Sequence, residues 1–212
     1  MSLFYQHNIN AGTKVGIWRI EEPESFYLQG VPLKRDVSHP AKRLQHLAGR
    51  FLLPHLFKDF PLSEILIADT KKPYLADEKY HFSISHCGTY AGVIVSNSNR
   101  VGIDIEIIST RLYNIVHKFV NDKEKVFLEE WEPLTQMHLE LTTILWSAKE
   151  ALFKWYGFGQ VDFKEHMQLS GPLIFLPNEW IQLPFTFYKE ENVHVKIMAK
   201  VFGEIVIAWV VT

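Results

Sequence analysis

The chain of 212 residues is 47% hydrophobic and 14% aromatic, which is enough apolar material for one large or two small cores. Its 22 Lys and Arg stand against 24 Asp and Glu, a formal charge of -2, so no global basic field exists to draw nucleic acid or an anionic membrane, and any anion site has to be local. The single cysteine, Cys87, excludes an internal disulfide framework and fits a reducing compartment. The opening MSLFYQHNINAGTK has no basic region followed by an apolar run, and charges or turn residues interrupt every apolar stretch before it reaches membrane-spanning length. The expectation is a soluble cytoplasmic protein.

In chain order, Val15 to Ile20 reads as a strand. From Ala41 to Leu56, the positions Leu44, Leu47, Ala48, Phe51 and Leu52 recur at helical spacing, with Lys42, Arg43, Gln45, His46 and Arg50 on the other side. This predicts an amphipathic helix with a basic flank. KKPYL (71–75) is extended because Pro73 restricts the residue before it. HFSISHCGTYAGVIVSN (81–97) alternates on both sides of Cys87-Gly88-Thr89 and predicts a hairpin. VGIDIE (101–106) then follows as a further strand. The region from Thr110 to Trp131 mixes helical apolar spacing with acids and bases. Leu139 to Tyr156 carries the clearest helical period, with Gly157 as its stop. VHVKIMAK and EIVIAWVV flank Val201-Phe202-Gly203 as a second hairpin whose length and apolar pattern resemble the first. No low-complexity linker separates the two hairpin regions.

VGIDIE carries an acid at every second position. Successive side chains of a strand point to opposite faces, so Val101, Ile103 and Ile105 line one side, while Gly102, Asp104 and Glu106 line the other. At about 6 to 7 Å and an effective dielectric near 20, the two carboxylates repel by roughly 2 to 3 kcal/mol. A cation or open water has to be near them. WSAKEALFKW (146–155) is the second chemical cluster. Ile144, Leu145, Ala148, Leu152 and Trp155 form a buried stripe, while Trp146, Lys149, Glu150, Phe153 and Lys154 share another side. Each cluster taken alone has an ordinary explanation. Glu150 and Lys154 are spaced as an exposed helical ion pair worth about 0.3 to 0.5 kcal/mol, and charges on an edge strand discourage aggregation. Together, two strand acids and a helical glutamate offer three hard oxygen ligands suited to Mg²⁺ or Mn²⁺ with a phosphate-bearing partner. Cationic and hydrogen-bonding groups able to hold that partner are Lys42, Arg43 and Arg50; Lys71 and Lys72; Ser85 and His86; and Lys149 and Lys154.

KKPYL, FSISHCGTYAGV (82–93), VGIDIE, KFVNDKE (118–124) and WSAKEALFKW, in this order and spacing, resemble the 4'-phosphopantetheinyl transferases. The likeness is to their larger, pseudo-dimeric class, typified by the surfactin-synthetase-activating enzyme, and covers roughly residues 40–160. It implies an α+β fold of two similar halves in one chain, here 1–100 and 101–212, with the active site and coenzyme A at their junction. It also implies Mg²⁺-dependent transfer of the phosphopantetheine arm of coenzyme A to a serine of an apo carrier protein, releasing 3',5'-ADP, by a monomer acting without nucleic acid or membrane. Carried over by motif, Asp104, Glu106 and Glu150 hold the metal, Mg²⁺ or else Mn²⁺. Glu150, directly or through a water on the metal, takes the serine proton. Lys154 contacts the diphosphate, with Lys149 as a helper. Ser85 and His86 face coenzyme phosphates, and Lys72 holds the adenosine end. Arg43 and Arg50 bind the nucleotide, unless they form only a solvated helix face. Carrier docking is expected along Thr110 to Trp131. Two readings compete with this one: a magnesium-dependent nuclease or phosphohydrolase, and a non-catalytic carrier- or coenzyme-binding module.

Overall fold

The computed structural model describes residues 2–32, 37–130 and 133–212. Trp131, the far end of the expected docking stretch, lies outside them. The chain is a mixed α+β protein that divides into two compact units, Met1–Ile105 and Glu106–Thr212.

In the first unit, β1 (Leu3–Asn10) and β2 (Thr13–Arg19) form a hairpin, followed by a short helix α1 (Glu24–Leu28) and the long α2 (Pro40–Leu56). A two-stranded ribbon of β3 (Leu66–Ile67) and β4 (Pro73–Tyr74) precedes the hairpin of β5 (His81–Cys87) and β6 (Tyr90–Ser96), and β7 (Val101–Ile107) leaves the unit. The main sheet runs β1-β2-β6-β5 and is antiparallel throughout. Pro40 starts α2 at its first turn, where a missing N–H costs nothing. The apolar stripe of α2, Leu47, Leu52, Leu53 and Leu56, is fully buried with Trp18, Phe82, Val93 and Val95 of the sheet. Each such leucine contributes roughly 1.5 to 3 kcal/mol of burial. Helix and sheet meet closely at Gly49, where a Cβ would stand 2.7 Å from Ile84 Cγ2. Ile84 therefore lies on the helix-facing side of β5. Alternation puts Ser83 and Ser85 on the opposite side.

In the second unit, a 3-10 turn (Thr110–Asn114), α3 (Val116–Phe119) and α4 (Asp122–Glu129) lead to α5 (Gln136–Tyr156). The sheet that follows contains β8 (Met167–Leu169), β9 (Ile174–Phe175), β10 (Ile181–Tyr188), β11 (Asn192–Phe202) and β12 (Ile205–Val211). β12, β11, β10 and β8 are successive neighbours, and β9 pairs with β10. Thr135 caps α5 by accepting from His138 N, and Gly157 ends it in the left-handed region at φ 78°, as the sequence predicts. Leu141, Ile144, Leu145, Ala148 and Leu152 of α5 form the core with Leu183, Phe185, Ile197, Val206 and Ala208 of the sheet.

Both predicted hairpins and the predicted strand 101–106 are present, and α5 begins at Gln136, ahead of the expected Leu139. β1 was not expected. Among the described residues, no helix is long and apolar enough to cross a membrane.

Candidate active site

Within the first unit, a cavity of about 500 Å³ opens where α2, the helix-facing side of β5 and the 62–73 segment meet. His46, Arg50, Lys71 and His86 supply its cationic and hydrogen-bonding lining, and Leu62, Ile65, Ile67, Pro73 and Ile84 its apolar walls. Two local rules build it. Arg50 follows His46 by one helical turn, and its Nη1 lies 3.0 Å from His46 Nδ1. On β5, His86 falls two residues after Ile84, so both point to the side that α2 covers. Lys71 takes φ 66°, held by its N–H donating to Ala68 O at 2.8 Å. A concave wall that mixes cations with flat apolar surface suits a phosphorylated ring compound. Lys72, beside the cavity, has its ammonium pushed down to about 8 by burial and by the positive charge of Arg100.

The strand acids are held from two sides. Asp104 is buried, 3% exposed, and its Oδ1 accepts a hydrogen bond from Ser85 Oγ at 2.8 Å. Glu106, two residues on and on the same side of β7, is half-buried; its Oε1 accepts from Trp146 Nε1 of α5 at 3.3 Å. Trp146, Glu150, Phe153 and Lys154 are the half-open positions of a helix otherwise buried from Leu141 to Tyr156. Glu150 is thus one turn from the tryptophan that touches Glu106. Carboxylate oxygens on a fixed strand, one already oriented by a hydroxyl, are the donor type Mg²⁺ prefers. Among the described residues, no group of three or more His, Cys, Asp or Glu side chains is drawn together as a metal-ion cage. Mg²⁺ commonly needs only one or two carboxylates when substrate phosphate and water complete its shell.

Three expected ligands have protein partners of their own. Lys149 is fully buried, its ammonium donating to Phe119 O, to Glu124 Oε2 at 2.7 Å and to Phe163 O at 2.9 Å. All three ammonium protons are engaged, which leaves none for a phosphate. Burial lowers its pKa and the Glu124 carboxylate opposes that. Ser85 is buried on the β7 side of β5, away from the cavity that His86 lines. Arg43 donates to Glu24 Oε2 at 2.9 Å, tying α2 to α1, and is not among the cavity residues. His46 and Arg100 are additions. The helical spacing from Arg50 could have pointed to His46, but nothing local marks Arg100, whose neighbour Lys72 is distant in the chain.

The family model for the 4'-phosphopantetheinyl transferase superfamily matches residues 100–207. A Haemophilus influenzae protein described as a candidate 4'-phosphopantetheinyl transferase is 34% identical over 128 residues, covering 58% of this chain and 53% of that protein. The 4'-phosphopantetheinyl transferase AcpT of Escherichia coli K12 is 32% identical over 149 residues, 65% of this chain and 73% of AcpT. Enterobactin synthase component D of Salmonella typhimurium is 30% identical over 116 residues, 53% of this chain and 47% of that protein. The aligned stretch thus spans about half the length of the Haemophilus and Salmonella relatives. The chain belongs to the 4'-phosphopantetheinyl transferase superfamily.

Proposed function

We propose that this protein transfers the 4'-phosphopantetheine arm of coenzyme A to a serine of an apo carrier protein, releasing 3',5'-ADP. The observation that supports the reading most is the Glu106 carboxylate accepting from Trp146 Nε1, one helical turn from Glu150 on α5. Family membership and the names of the relatives support it. The serine oxygen forms a bond to the phosphorus bearing the pantetheine arm as the diphosphate bridge breaks, and the electron pair leaves on 3',5'-ADP. Glu150 accepts the serine proton. Lys154 balances the charge of the diphosphate oxygens. Asp104, Glu106 and Glu150 would hold Mg²⁺, or Mn²⁺ in its place. When bound, that ion neutralises the diphosphate and the developing charge on the leaving group. His86, Arg50 and Lys71 of the cavity, with Lys72 beside it, take the nucleotide end of coenzyme A. This nucleotide site supports the reading because its lining is cationic on one wall and apolar on another.

The reading extends to the larger, two-half class of the family, because each unit carries its own antiparallel sheet and one long helix. A cytoplasmic monomer with coenzyme A at the junction of the halves, and a carrier docking along 110–130, complete it. Incubation with coenzyme A, Mg²⁺ and a panel of apo carriers, each then weighed by mass spectrometry, tests it. A gain equal to the phosphopantetheine arm on at least one carrier is expected. No gain on any carrier overturns the reading, and coenzyme A consumed without a carrier would identify a phosphohydrolase.

A further inference from the structure

We infer that Ser85 is a positioning residue for Asp104 and not a phosphate ligand; the inference rests on the proposed role of Asp104 at the cation. The SISH stretch splits by alternation into two functional sides. Ile84 and His86 line the cavity, while Ser83 and Ser85 turn to β7. There the two hydroxyls act as rungs: Ser83 Oγ accepts from Ile103 N at 3.2 Å and Ser85 Oγ accepts from Ile105 N at 3.2 Å. They take the place that a neighbouring strand's carbonyls would fill for these buried N–H groups.

The close approach this requires is permitted by Gly92, the cross-strand partner of Ser85 on β6. A Cβ at Gly92 would overlap Ile105 Cδ1 and crowd Ile103 Cδ1 at 3.4 Å. Ser85 also donates. Its proton goes to Asp104 Oδ1 at 2.8 Å, a charge-assisted bond between two buried side chains, each under 6% exposed. Backbone and carboxylate are therefore fixed by the same oxygen. The rotamer of Asp104 is set before any ion arrives, and the entropy of ordering it is not charged to ion binding.

The test compares wild type, Ser85→Ala, Ser85→Thr and Ser83→Ala in two binding measurements. Free Mn²⁺ is followed by electron paramagnetic resonance, and 3',5'-ADP binding without any divalent ion by calorimetry. Ser85→Ala is expected to weaken Mn²⁺ binding about 10- to 100-fold, the usual effect of losing a partner that orients a metal ligand. Its metal-free nucleotide binding stays within about twofold of wild type, where a phosphate contact would be lost, because the hydroxyl faces away from the cavity. Ser85→Thr restores Mn²⁺ binding. Ser83→Ala loses a backbone rung but keeps the affinity for Mn²⁺, which separates positioning from general loosening of β7. Should Ser85→Ala fail to fold, Ser85→Cys keeps most of the volume, gives up most of the donor strength, and carries the same expectation. Wild-type Mn²⁺ affinity in Ser85→Ala, or loss of metal-free 3',5'-ADP binding in that variant, overturns the inference. If wild type itself binds no Mn²⁺, the reading of the acidic strand falls, and the inference with it.

Discussion

Lys149 shows how one side chain can be legible in type and misleading in place. On a helical wheel it sits between the open face of Trp146 and Glu150 and the buried stripe of Ala148 and Leu152. Spacing alone does not decide which way a long, flexible amine will turn. It turns inward, because Glu124 offers a buried carboxylate already fixed by its capping box with Asn121 and by Leu169 N. Removing one partner of a fully buried pair strands the other, so Lys149→Ala is predicted to lose about 3 to 5 kcal/mol in urea unfolding. A phosphate ligand would instead cost nucleotide affinity and leave stability unchanged. Lys72 gives a prediction in pH. With its ammonium held near 8 by burial and Arg100, it is charged below that pH and neutral above it. Affinity for 3',5'-ADP should therefore fall as pH rises through about 8, measured by calorimetry, and Lys72→Met should remove that step. The same proton loss makes the fold slightly more stable as pH rises between the folded and ordinary lysine values, because the unfolded chain holds the proton longer. The side on which His86 and Arg50 lie, where they line the cavity, was readable from strand and helix period. That Ser85 lies away from the cavity was not, since alternation says that it opposes His86 but not which side the cavity occupies.

At the scale of elements, period and punctuation carried most of the fold: both hairpins, the acidic strand, α2 and the Gly157 stop. β1 escaped because LFYQHNIN is an edge strand with polar residues on both sides and two register irregularities, so no alternation marks it. The 110–130 region reads as helical but breaks into a 3-10 turn and two helices, because Asn121 caps a new start at α4. Packing between elements gives a further prediction. Gly92→Ala puts a methyl into Ile105, itself 1% exposed, and should destabilise by about 1 to 3 kcal/mol in urea unfolding, although alanine suits a strand better than glycine. The start of α5 adds another. His138 stacks on Tyr113, whose hydroxyl meets His138 Nδ1 and accepts from Leu134 N at 2.7 Å. Burial holds the imidazole below its ordinary 6.5, so the unfolded chain takes up a proton first as pH falls. The associated stability is complete above the ordinary value and lost on acidification toward the folded one. Melting temperature should drop more steeply from about pH 7 to about pH 5 in wild type than in His138→Gln.

For the molecule as a whole, each of the two units builds an antiparallel sheet covered by one principal helix, and the chain passes from the first to the second within β7. The overall charge of -2 leaves anion binding to local groups, and the cationic lining of the cavity in the first unit supports the proposed binding of an anionic coenzyme. Carrier preference was not legible, because surface complementarity to a partner leaves no motif in the chain that provides it. The most direct measurement is the rate at which an accepting apo carrier gains the phosphopantetheine mass, with coenzyme A and Mg²⁺, for wild type and Asp104→Ala matched in circular dichroism. The account predicts transfer by wild type and a loss of at least about 100-fold in the variant. Equal rates for the two proteins would contradict it.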